Sequence, residues 1–306
     1  MFLKHVVKEV REALGTTLPL PSITGGRQTK DRRLWTAAGE GDLPTVRLLA
    51  NDRHVDINYV GEEKRDTPLH RACRFGHTEI VQELLRHPRV DVNKGNAGNA
   101  SPFFIACQEA HREIVLALVA DSRVEVNRPD MENVTPLCMA SNDGSVEVVR
   151  VLLADPRTDP SVAKVTGVTA LSIACERGHE EVVTLLLEDV RVDPNTLDTD
   201  MSSPLWFAAQ NGHLLVSQQL LASDRVIDTQ TLSQWNRQTA GEQARAMANH
   251  PRMSFEGEVD ADRRRTCCPA IADLLDCYKE DPNAVRMSLR TIPPIRGEPS
   301  FPLLLL

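Results

Sequence analysis

Thr67-Pro68-Leu69-His70-Arg71-Ala72-Cys73-Arg74-Phe75-Gly76-His77 decides the fold, because the same frame returns at a fixed interval along the chain. A clear second copy is Leu171-Ser172-Ile173-Ala174-Cys175-Glu176-Arg177-Gly178-His179. The alanine of the frame recurs at intervals of 35, 34, 34, 34 and 34 residues. These alanines are Ala37, Ala72, Ala106, Ala140, Ala174 and Ala208. A fixed period in this range predicts an array of small stacked units rather than one globule.

Each unit reads as two short helices followed by a loop. Thr67-Pro68 predicts the start of a first helix, because Thr is a good N-cap and Pro suits the first turn. Gly76 ends that helix, and a second one follows from His77 with apolar residues at helical spacing. Pro88 stops the second helix. The Gly- and Asn-rich residues 94–100 predict a hairpin-like turn that leads into the next unit.

This frame resembles the ankyrin repeat family. Thr67-Pro68-Leu69-His70-x-Ala72 is that family's opening motif, and Thr135-Pro136-Leu137 and Ser203-Pro204-Leu205 are near matches. The resemblance extends from about Lys30 to His250. It implies an all-α, ankyrin-type solenoid of stacked helix-turn-helix repeats with short β-hairpin-like loops. The extra residue of the period falls after the second helix, where a pair such as Pro88-Arg89 replaces the single Gly that the family normally has.

Outside the array the sequence predicts three further segments. Residues 1–29 are expected to form an N-terminal amphipathic helix and a linker, and residues 30–250 the repeats with the start of a degenerate seventh. Residues 251–268 are rich in charge and predict a solvated insertion loop. Residues 269–306 predict a C-terminal capping helix and a Pro/Leu-rich tail.

Three features of these end segments carry alternative interpretations. The amphipathic pattern of the N-terminal segment favours a helix that caps the first repeat. The alternative is a helix that binds a partner or a membrane surface. The tail predicts either a short linear motif or a frayed end. Arg263-Arg264-Arg265-Thr266 resembles a basophilic kinase site, so Thr266 is a candidate for phosphorylation. The competing interpretation of Thr266 is a plain solvated loop.

Composition and charge limit the function classes. A formal net charge of −8 argues against nucleic-acid binding, which normally shows a basic face. The chain contains no apolar run long enough for membrane insertion. Cys73, Cys107 and Cys175 share one helix position, and with seven cysteines in all we interpret them as reduced core thiols rather than disulfides. We expect a monomer in the cytoplasm, with the nucleus as an alternative.

The recurring histidines offer residue types that could do chemistry, but the repeat accounts for them better. A His at the helix opening, such as His70, is expected to bond to nearby backbone and Thr hydroxyl groups. The histidines that follow Gly, such as His77, are expected to cap the second helices. Equivalent positions in separate layers rarely converge on one reacting atom. The sequence therefore predicts no catalytic residue, no metal site and no cofactor.

Residues that vary between copies are expected to face solvent and to carry binding specificity. One set precedes the Gly of each copy, and the other lies at the loop tips. By the resemblance, both line the concave face that binds partner proteins. The predicted protein-binding residues are Arg74, Phe75, Gln108, Glu109, Met131, Glu132, Val134, Asn142, Asp143, Val165, Thr166, Glu176, Arg177, Asp200, Gln210 and Asn211.

Some aromatic and apolar residues stand out as candidate anchors. Phe75, Met131, Val134, Val165 and Val168 are expected to be exposed. The residues that replace the motif's His are further candidates, namely Trp35, Phe104 and Trp206.

The sequence as a whole predicts non-enzymatic recognition of one or more proteins by a scaffold or adaptor. The alternative is a regulatory or substrate-recruiting subunit, for example a ubiquitin ligase adaptor that uses an end segment to engage the enzyme. An enzyme with an unrecognised C-terminal site is a third class, which the short C-terminal region disfavours.

Overall fold

The computed structural model describes residues 26–62, 64–249 and 258–291, and in this part of the chain every regular element is an α-helix. In the described residues, seven helix pairs follow one another, and one further helix comes after the seventh pair. The helices are α1 Gly26–Glu40, α2 Leu43–Ala50, α3 Pro68–Arg74, α4 Thr78–Leu85, α5 Pro102–Gln108, α6 Arg112–Val119, α7 Pro136–Asn142, α8 Val146–Ala154, α9 Ala170–Arg177, α10 Glu180–Glu188, α11 Pro204–Gln210, α12 Leu214–Ala222, α13 Ala240–Ala248, α14 Glu258–Glu280 and α15 Pro282–Thr291.

The pairs stack as the period predicts. The first helix of each repeat packs on the first helix of the next, and the second helices do the same. The chain therefore has two helical layers, one of α1, α3, α5, α7, α9, α11 and α13, and one of α2, α4, α6, α8, α10 and α12. The all-α solenoid that the sequence predicts is confirmed.

The first helices begin where the capping residues predict. The Thr67 hydroxyl accepts a hydrogen bond from the backbone N–H of His70 at 3.3 Å, and the equivalent bond recurs in later repeats. The N-cap residues are Thr67, Ser101, Thr135, Thr169, Ser203 and Thr239. Each satisfies a helix N–H that would otherwise be buried without a partner.

His70 behaves as the sequence predicts for the opening motif. Its Nδ1 accepts from the Thr67 backbone N–H at 3.1 Å, which leaves Nε2 as the donor to the Ala100 carbonyl at 2.9 Å. Burial is the main reason that the pKa of His70 lies below its ordinary value. The neutral ring therefore ties the second repeat to the loop that enters the third.

The core between the layers is built from the residues that repeat. Ala72, Ala106, Ala140 and Ala174 have no exposed surface, and small side chains there let the helices approach closely. Cys73, Cys107 and Cys175 lie in this core, and burial raises the pKa of each thiol far above its ordinary value.

The histidines that follow the Gly residues do not cap the second helices, which corrects one prediction. They occupy the N-cap position, but their side chains make no capping bond. Instead, Nε2 of His77 lies 3.1 Å from the Gly39 carbonyl, and Nε2 of His179 lies 2.9 Å from the Asn142 carbonyl. His213 makes the same contact, and so does His111, which follows Ala110 rather than Gly. The ring therefore reaches across to the preceding repeat and links the two repeats.

The arginine after the second helix makes a further link that the sequence did not predict. Arg123 Nη2 donates to the Leu85 carbonyl at 2.8 Å, and Arg157 Nη2 donates to the Val119 carbonyl at 2.6 Å. Each carbonyl belongs to the last residue of the preceding second helix, where it lacks an intrahelical partner. An aspartate two residues earlier orients the guanidinium, and the Arg123 contact holds the pKa of Asp121 below its ordinary value.

An asparagine forms a second link in the same loops. Asn93 Nδ2 donates to the Arg123 carbonyl at 2.7 Å, while its Oδ1 accepts from the Glu125 N–H at 2.9 Å. The residues with both contacts are Asn58, Asn93, Asn127 and Asn195. Ser161 stands at this position in the fourth repeat, and its hydroxyl bonds to Asp159 of the same loop instead.

The interpretation of residues 251–268 as a solvated loop is wrong for residues 258–268, which are part of α14. Glu, Ala and Arg are good helix formers, and Asp260 pairs with Arg263 one turn later. Ala261 and Arg264 are buried, and Arg264 Nη1 donates to the Met247 carbonyl at 3.2 Å. Docking of an arginine, rather than an apolar stripe, stabilises this part of the helix, so hydrophobic periodicity does not reveal it.

The last helix, α15, packs against α12. Arg286 Nη2 donates to the Arg225 carbonyl and Arg290 Nε to the Ala222 carbonyl, each at 3.0 Å. These arginines satisfy the carbonyls that a following repeat would otherwise cover. The described part of the predicted capping segment, residues 269–291, is thus divided between α14 and α15.

The N-terminal boundary also differs from the prediction. Residues 26–29, which the sequence places in a linker, already belong to α1. The predicted amphipathic helix, most of that linker, residues 250–257 and the tail from residue 292 lie outside the described residues.

Candidate protein-binding face

The ends of the first helices and the tips of the loops lie along one edge of the stack, which we call the groove face. It comprises residues 74–75, 108–109, 142–143, 176–177 and 210–211, with the loop tips at 97–98, 131–132, 165–166 and 199–200. Every predicted binding residue except Val134 is at least partly exposed on it. The repeat therefore presents variable residues at regular intervals while it buries the recurring ones.

The loop tips have a defined geometry. In the third-repeat loop, Asp130 N–H donates to the Val134 carbonyl at 3.0 Å, and Asn133 adopts a φ of 60°. Left-handed residues close the equivalent tips at Asn99, Gly167 and Met201. Met201 thus takes a strained left-handed conformation, which Asn or Gly adopts at lower cost.

Neighbouring loop tips are also joined to one another. The Met131 N–H donates to the Gly98 carbonyl at 2.9 Å, and the Thr199 N–H donates to the Thr166 carbonyl at 2.9 Å. The same pattern links Ala97 to Lys64 and Gln234 to Asp200. These bonds hold the tips of the first three repeats in register with one another, and the tips of the fourth to sixth repeats likewise.

The apolar candidates divide into exposed and buried groups. Met131 is 72% exposed, Val165 74% and Phe75 49%, as predicted. Val134 is buried instead, because it precedes the N-cap and its backbone closes the loop, which turns the side chain toward the core. Val168, in the equivalent position, packs partly against the core.

The residues that replace the motif's His do not supply exposed anchors. Phe104 and Trp206 are buried in the core. Trp35 is half-buried, and its Nε1 donates to the Asp66 carbonyl at 2.7 Å. The large rings fill the space that the imidazole would occupy, and their bulk favours burial.

Polar residues of the groove face bridge neighbouring repeats. Arg74 lies 3.1 Å from the Asp66 carboxylate of its own repeat and 3.4 Å from Glu109 of the next. Arg177 Nε donates to Asn142 Oδ1 at 3.1 Å, across the junction of the fourth and fifth repeats. These side chains are therefore partly committed to the stack, whereas the side chains of Met131 and Val165 are mostly exposed.

Two features of this face escaped the sequence analysis. Trp235 is 70% exposed at the tip of the loop after α12, one repeat length beyond Asp200. Arg71, the unspecified position of the opening motif, stacks on Trp35 and Phe75. The repeat frame could have located Trp235, but no sequence signal places an arginine between two rings.

Thr266 lies exposed on α14, where its hydroxyl donates to the Asp262 carbonyl at 2.6 Å. Phosphorylation at Thr266 remains a prediction. None of the helices in the described ranges is both long and apolar enough to cross a membrane.

Comparison with known proteins places these features in a family. A family model described as "Ankyrin repeats (3 copies)" matches residues 34–130 and 123–198. Ankyrin repeat domain-containing protein 49 of Bos taurus is 44% identical over 54 residues, which cover 18% of this chain and 22% of that protein. The Homo sapiens protein of the same name is 46% identical over 52 residues, 17% and 21% respectively. The chain thus spans about a fifth of these relatives' length.

Solved structures show the same architecture. The ankyrin repeat protein EF0377 superposes with a TM-score of 0.57 at 26% identity, over 61% of this chain and 95% of that one. The ankyrin repeat domain of Bcl-3, described as a unique member of the IkappaB protein family, gives 0.62 at 21% identity, over 76% and 97%. The second likeness concerns the fold alone.

Proposed function

Because this chain belongs to the ankyrin repeat family, whose repeats are generally protein–protein interaction modules, we propose that it is a non-enzymatic scaffold or adaptor that binds a partner protein. The groove face is the proposed binding surface. The partner covers the loop tips and the ends of the first helices, and the chain acts as a monomer with no cofactor.

The exposure of Met131 and Val165 is the observation that carries this proposal. Both side chains are more than two-thirds exposed, although they are apolar and lie on adjacent loop tips. Exposed apolar groups that cluster on one face are typical of protein-binding surfaces. Trp235 extends the same edge, and aromatic rings of this kind often supply much of the binding energy.

The links between loop tips support a rigid mode of binding. Four backbone hydrogen bonds join neighbouring loops, so little conformational entropy is lost when a partner docks. The surface is preorganised, and specificity comes from the side chains that differ between copies.

A charge-insertion experiment tests the groove face. We would identify partners by crosslinking in native extract, produce the strongest one, and measure its affinity by calorimetry. The test variant carries Met131→Glu and Val165→Glu. The control carries Val190→Glu and Val226→Glu, which are 86% and 79% exposed in the loops after the second helices. Both variants add the same charge, and circular dichroism would verify that each is folded.

We expect the test variant to weaken binding by about tenfold or more, since each buried anchor typically contributes over 1 kcal/mol. The control variant should bind like wild type. Equal binding by both variants, or a loss confined to the control, would place the interface elsewhere on the stack. A regulatory or substrate-recruiting subunit remains the alternative, and it predicts that the captured complex contains an enzyme.

A further inference from the structure

A recess of about 400 Å³ opens at the N-terminal end of the groove face. Its walls come from α1, from α3 and from residues 59–62 and 64–66 of the loop that joins the first two repeats. Volumes of this order accommodate a side chain or a small ligand. Phe75 belongs both to the recess and to the groove face, so the two surfaces are continuous.

An arginine held between two aromatic rings forms one wall of the recess. The Arg71 guanidinium carbon lies 4.1 Å from the centroid of the Trp35 ring and 4.9 Å from that of Phe75. The Trp35 indole is itself anchored by its bond to the Asp66 carbonyl at 2.7 Å. Stacking fixes the plane of a guanidinium and leaves the N–H groups on its edge available to an anion.

The backbone makes room for this stack at two glycines. A Cβ atom on Gly39 would lie 2.3 Å from Arg71 Nε, and a Cβ atom on Gly61 would lie 2.6 Å from the Trp35 ring. Any other residue would displace the arginine or the indole. The local sequence is therefore compatible with this arrangement of Trp35 and Arg71 only because both positions lack a side chain.

The recess is rich in positive charge that the chain itself does not neutralise. Arg71 Nε is buried and has no hydrogen-bond partner, and Arg32 and Lys64 lie exposed at the rim. None of these three cations has an ion pair within the described residues. Of the two acids in the wall, Asp66 is already bound by Arg74, and Glu62 is exposed. A local excess of cations in a chain of net charge −8 indicates an acidic ligand.

We propose that this recess binds an Asp or Glu side chain of an extended acidic segment in the partner protein. The carboxylate pairs with the Arg71 guanidinium, and Arg32 and Lys64 attract neighbouring acidic residues. The planar edge of a guanidinium matches a carboxylate, and such charge-assisted bonds are among the strongest in proteins. The segment then continues past Phe75 along the groove face. This inference rests on the proposed function and names the chemistry of its partner.

Short peptides offer a direct test. We would select random peptides displayed on phage against the full chain and measure the affinity of the winners by fluorescence polarisation. Each acidic residue of the best peptide would be changed to its amide. The peptides would be titrated into wild type, Arg71→Gln, and the double variant Arg32→Gln with Lys64→Gln. Arg150→Gln is the charge-matched control, because Arg150 lies exposed on α8, away from the recess.

We expect selected peptides to carry Asp or Glu at one fixed position. Amide replacement there should weaken binding to wild type by about tenfold or more, and should change little in Arg71→Gln, because the interacting charge is gone. The rim variant should reduce affinity and its salt dependence. The Arg32 and Lys64 side chains are exposed and form no ion pair within the described residues, so the rim variant is informative even if Arg71→Gln is unstable. Arg150→Gln should bind like wild type.

Three results would overturn the inference. The effects of the amide replacement and of Arg71→Gln on affinity could be additive, or no selected peptide could depend on Arg71. A synthetic copy of the best peptide with phosphoserine in place of its key acid, titrated in the same way, could require Arg71 and bind far more tightly than the carboxylate peptide. The proposed function is tested separately, by the variant that carries Met131→Glu and Val165→Glu. If a partner's binding is lost with those substitutions but is unchanged by Arg71→Gln, the groove face is supported as the binding surface and the recess is rejected as the site of an acidic segment.

Discussion

At the scale of single residues, two departures from the repeat compensate for each other. Ala110 takes the place of the Gly that ends the first helix, and it keeps the left-handed φ of 56°. In other repeats a Cβ atom at this position would meet the histidine ring of the next repeat. A Cβ atom on Gly144, for example, would lie 2.7 Å from Cε1 of His179. The residue that faces Ala110 is Ser145, the one non-histidine among the five positions 77, 111, 145, 179 and 213. The smaller side chain leaves space for the methyl group.

A mutant cycle tests this pairing. Ser145→His alone should destabilise the protein by about 1–3 kcal/mol, because the ring meets the Ala110 methyl. Adding Ala110→Gly should restore stability to at least the wild-type value, since the histidine can then bond to the preceding repeat and the left-handed strain is relieved. Urea unfolding of the four proteins gives the coupling. Additive effects of the two changes would show that the residues do not touch.

His213 confers a pH dependence on stability. Burial, reinforced by Arg263, lowers its pKa from 6.5 to about 4 in the folded protein. The unfolded chain therefore binds this proton more readily, and stability falls as the pH drops from about 6.5 to about 4. The loss amounts to at most about 1.4 kcal/mol per pH unit for one group.

The expected measurement is the urea midpoint across that pH range. His213→Gln should flatten the dependence relative to wild type, whereas His54→Gln, which removes an exposed histidine, should not. An unchanged slope in His213→Gln would mean that other groups cause the acid sensitivity.

At the scale of elements, the links between repeats are made by side chains that bond to backbone carbonyls. The arginine and asparagine contacts recur in successive loops, but Ser161 interrupts the asparagine series. Restoring the amide with Ser161→Asn should therefore stabilise the chain by about 0.5–1.5 kcal/mol. Asn127→Ser, the reverse change one repeat earlier, should cost a similar amount. Thermal and urea unfolding of both variants would test this, and a neutral Ser161→Asn would show that its loop cannot place an amide correctly.

The helices themselves could be predicted because their signals are local. Thr67-Pro68 indicates where α3 begins, and the spacing of Ile80, Val81 and Leu84 indicates which face of α4 is buried. Contacts between repeats could not be predicted, because nothing near Arg123 in sequence indicates that Leu85 accepts its hydrogen bond. The start of α14 was missed for the same reason, since its docking depends on Arg264 and a carbonyl far away in the chain.

At the scale of the whole molecule, the residues that carry stability differ from those proposed to carry recognition. Leu152 is fully buried in α8, and Leu152→Ala should cost about 2–5 kcal/mol. Met131→Ala should change stability by less than about 0.5 kcal/mol, because the side chain is mostly in solvent. Denaturation midpoints of the two variants give the comparison. The reverse order would mean that the assignment of core and surface is wrong.

The groove face was largely predictable at this scale, and its exceptions have physical causes. Exposure of Phe75, Met131 and Val165 follows from the frame, which separates varying from recurring positions. Burial of Val134 does not, because it depends on how the loop closes. The Arg71 recess does not either, since it needs two glycines and two rings from different elements to meet.

The fourth repeat has a mechanical consequence for the array. It holds serine both where other repeats place the histidine and where they place the asparagine, so each of its two junctions lacks one of the contacts present elsewhere. A stack that is pulled or bent from its ends should therefore deform first at the junctions of the fourth repeat. The junction between the third and fourth repeats separates the loops that carry Met131 and Val165, so bending of the stack should change the spacing of these two side chains most, while the surface on either side keeps its shape.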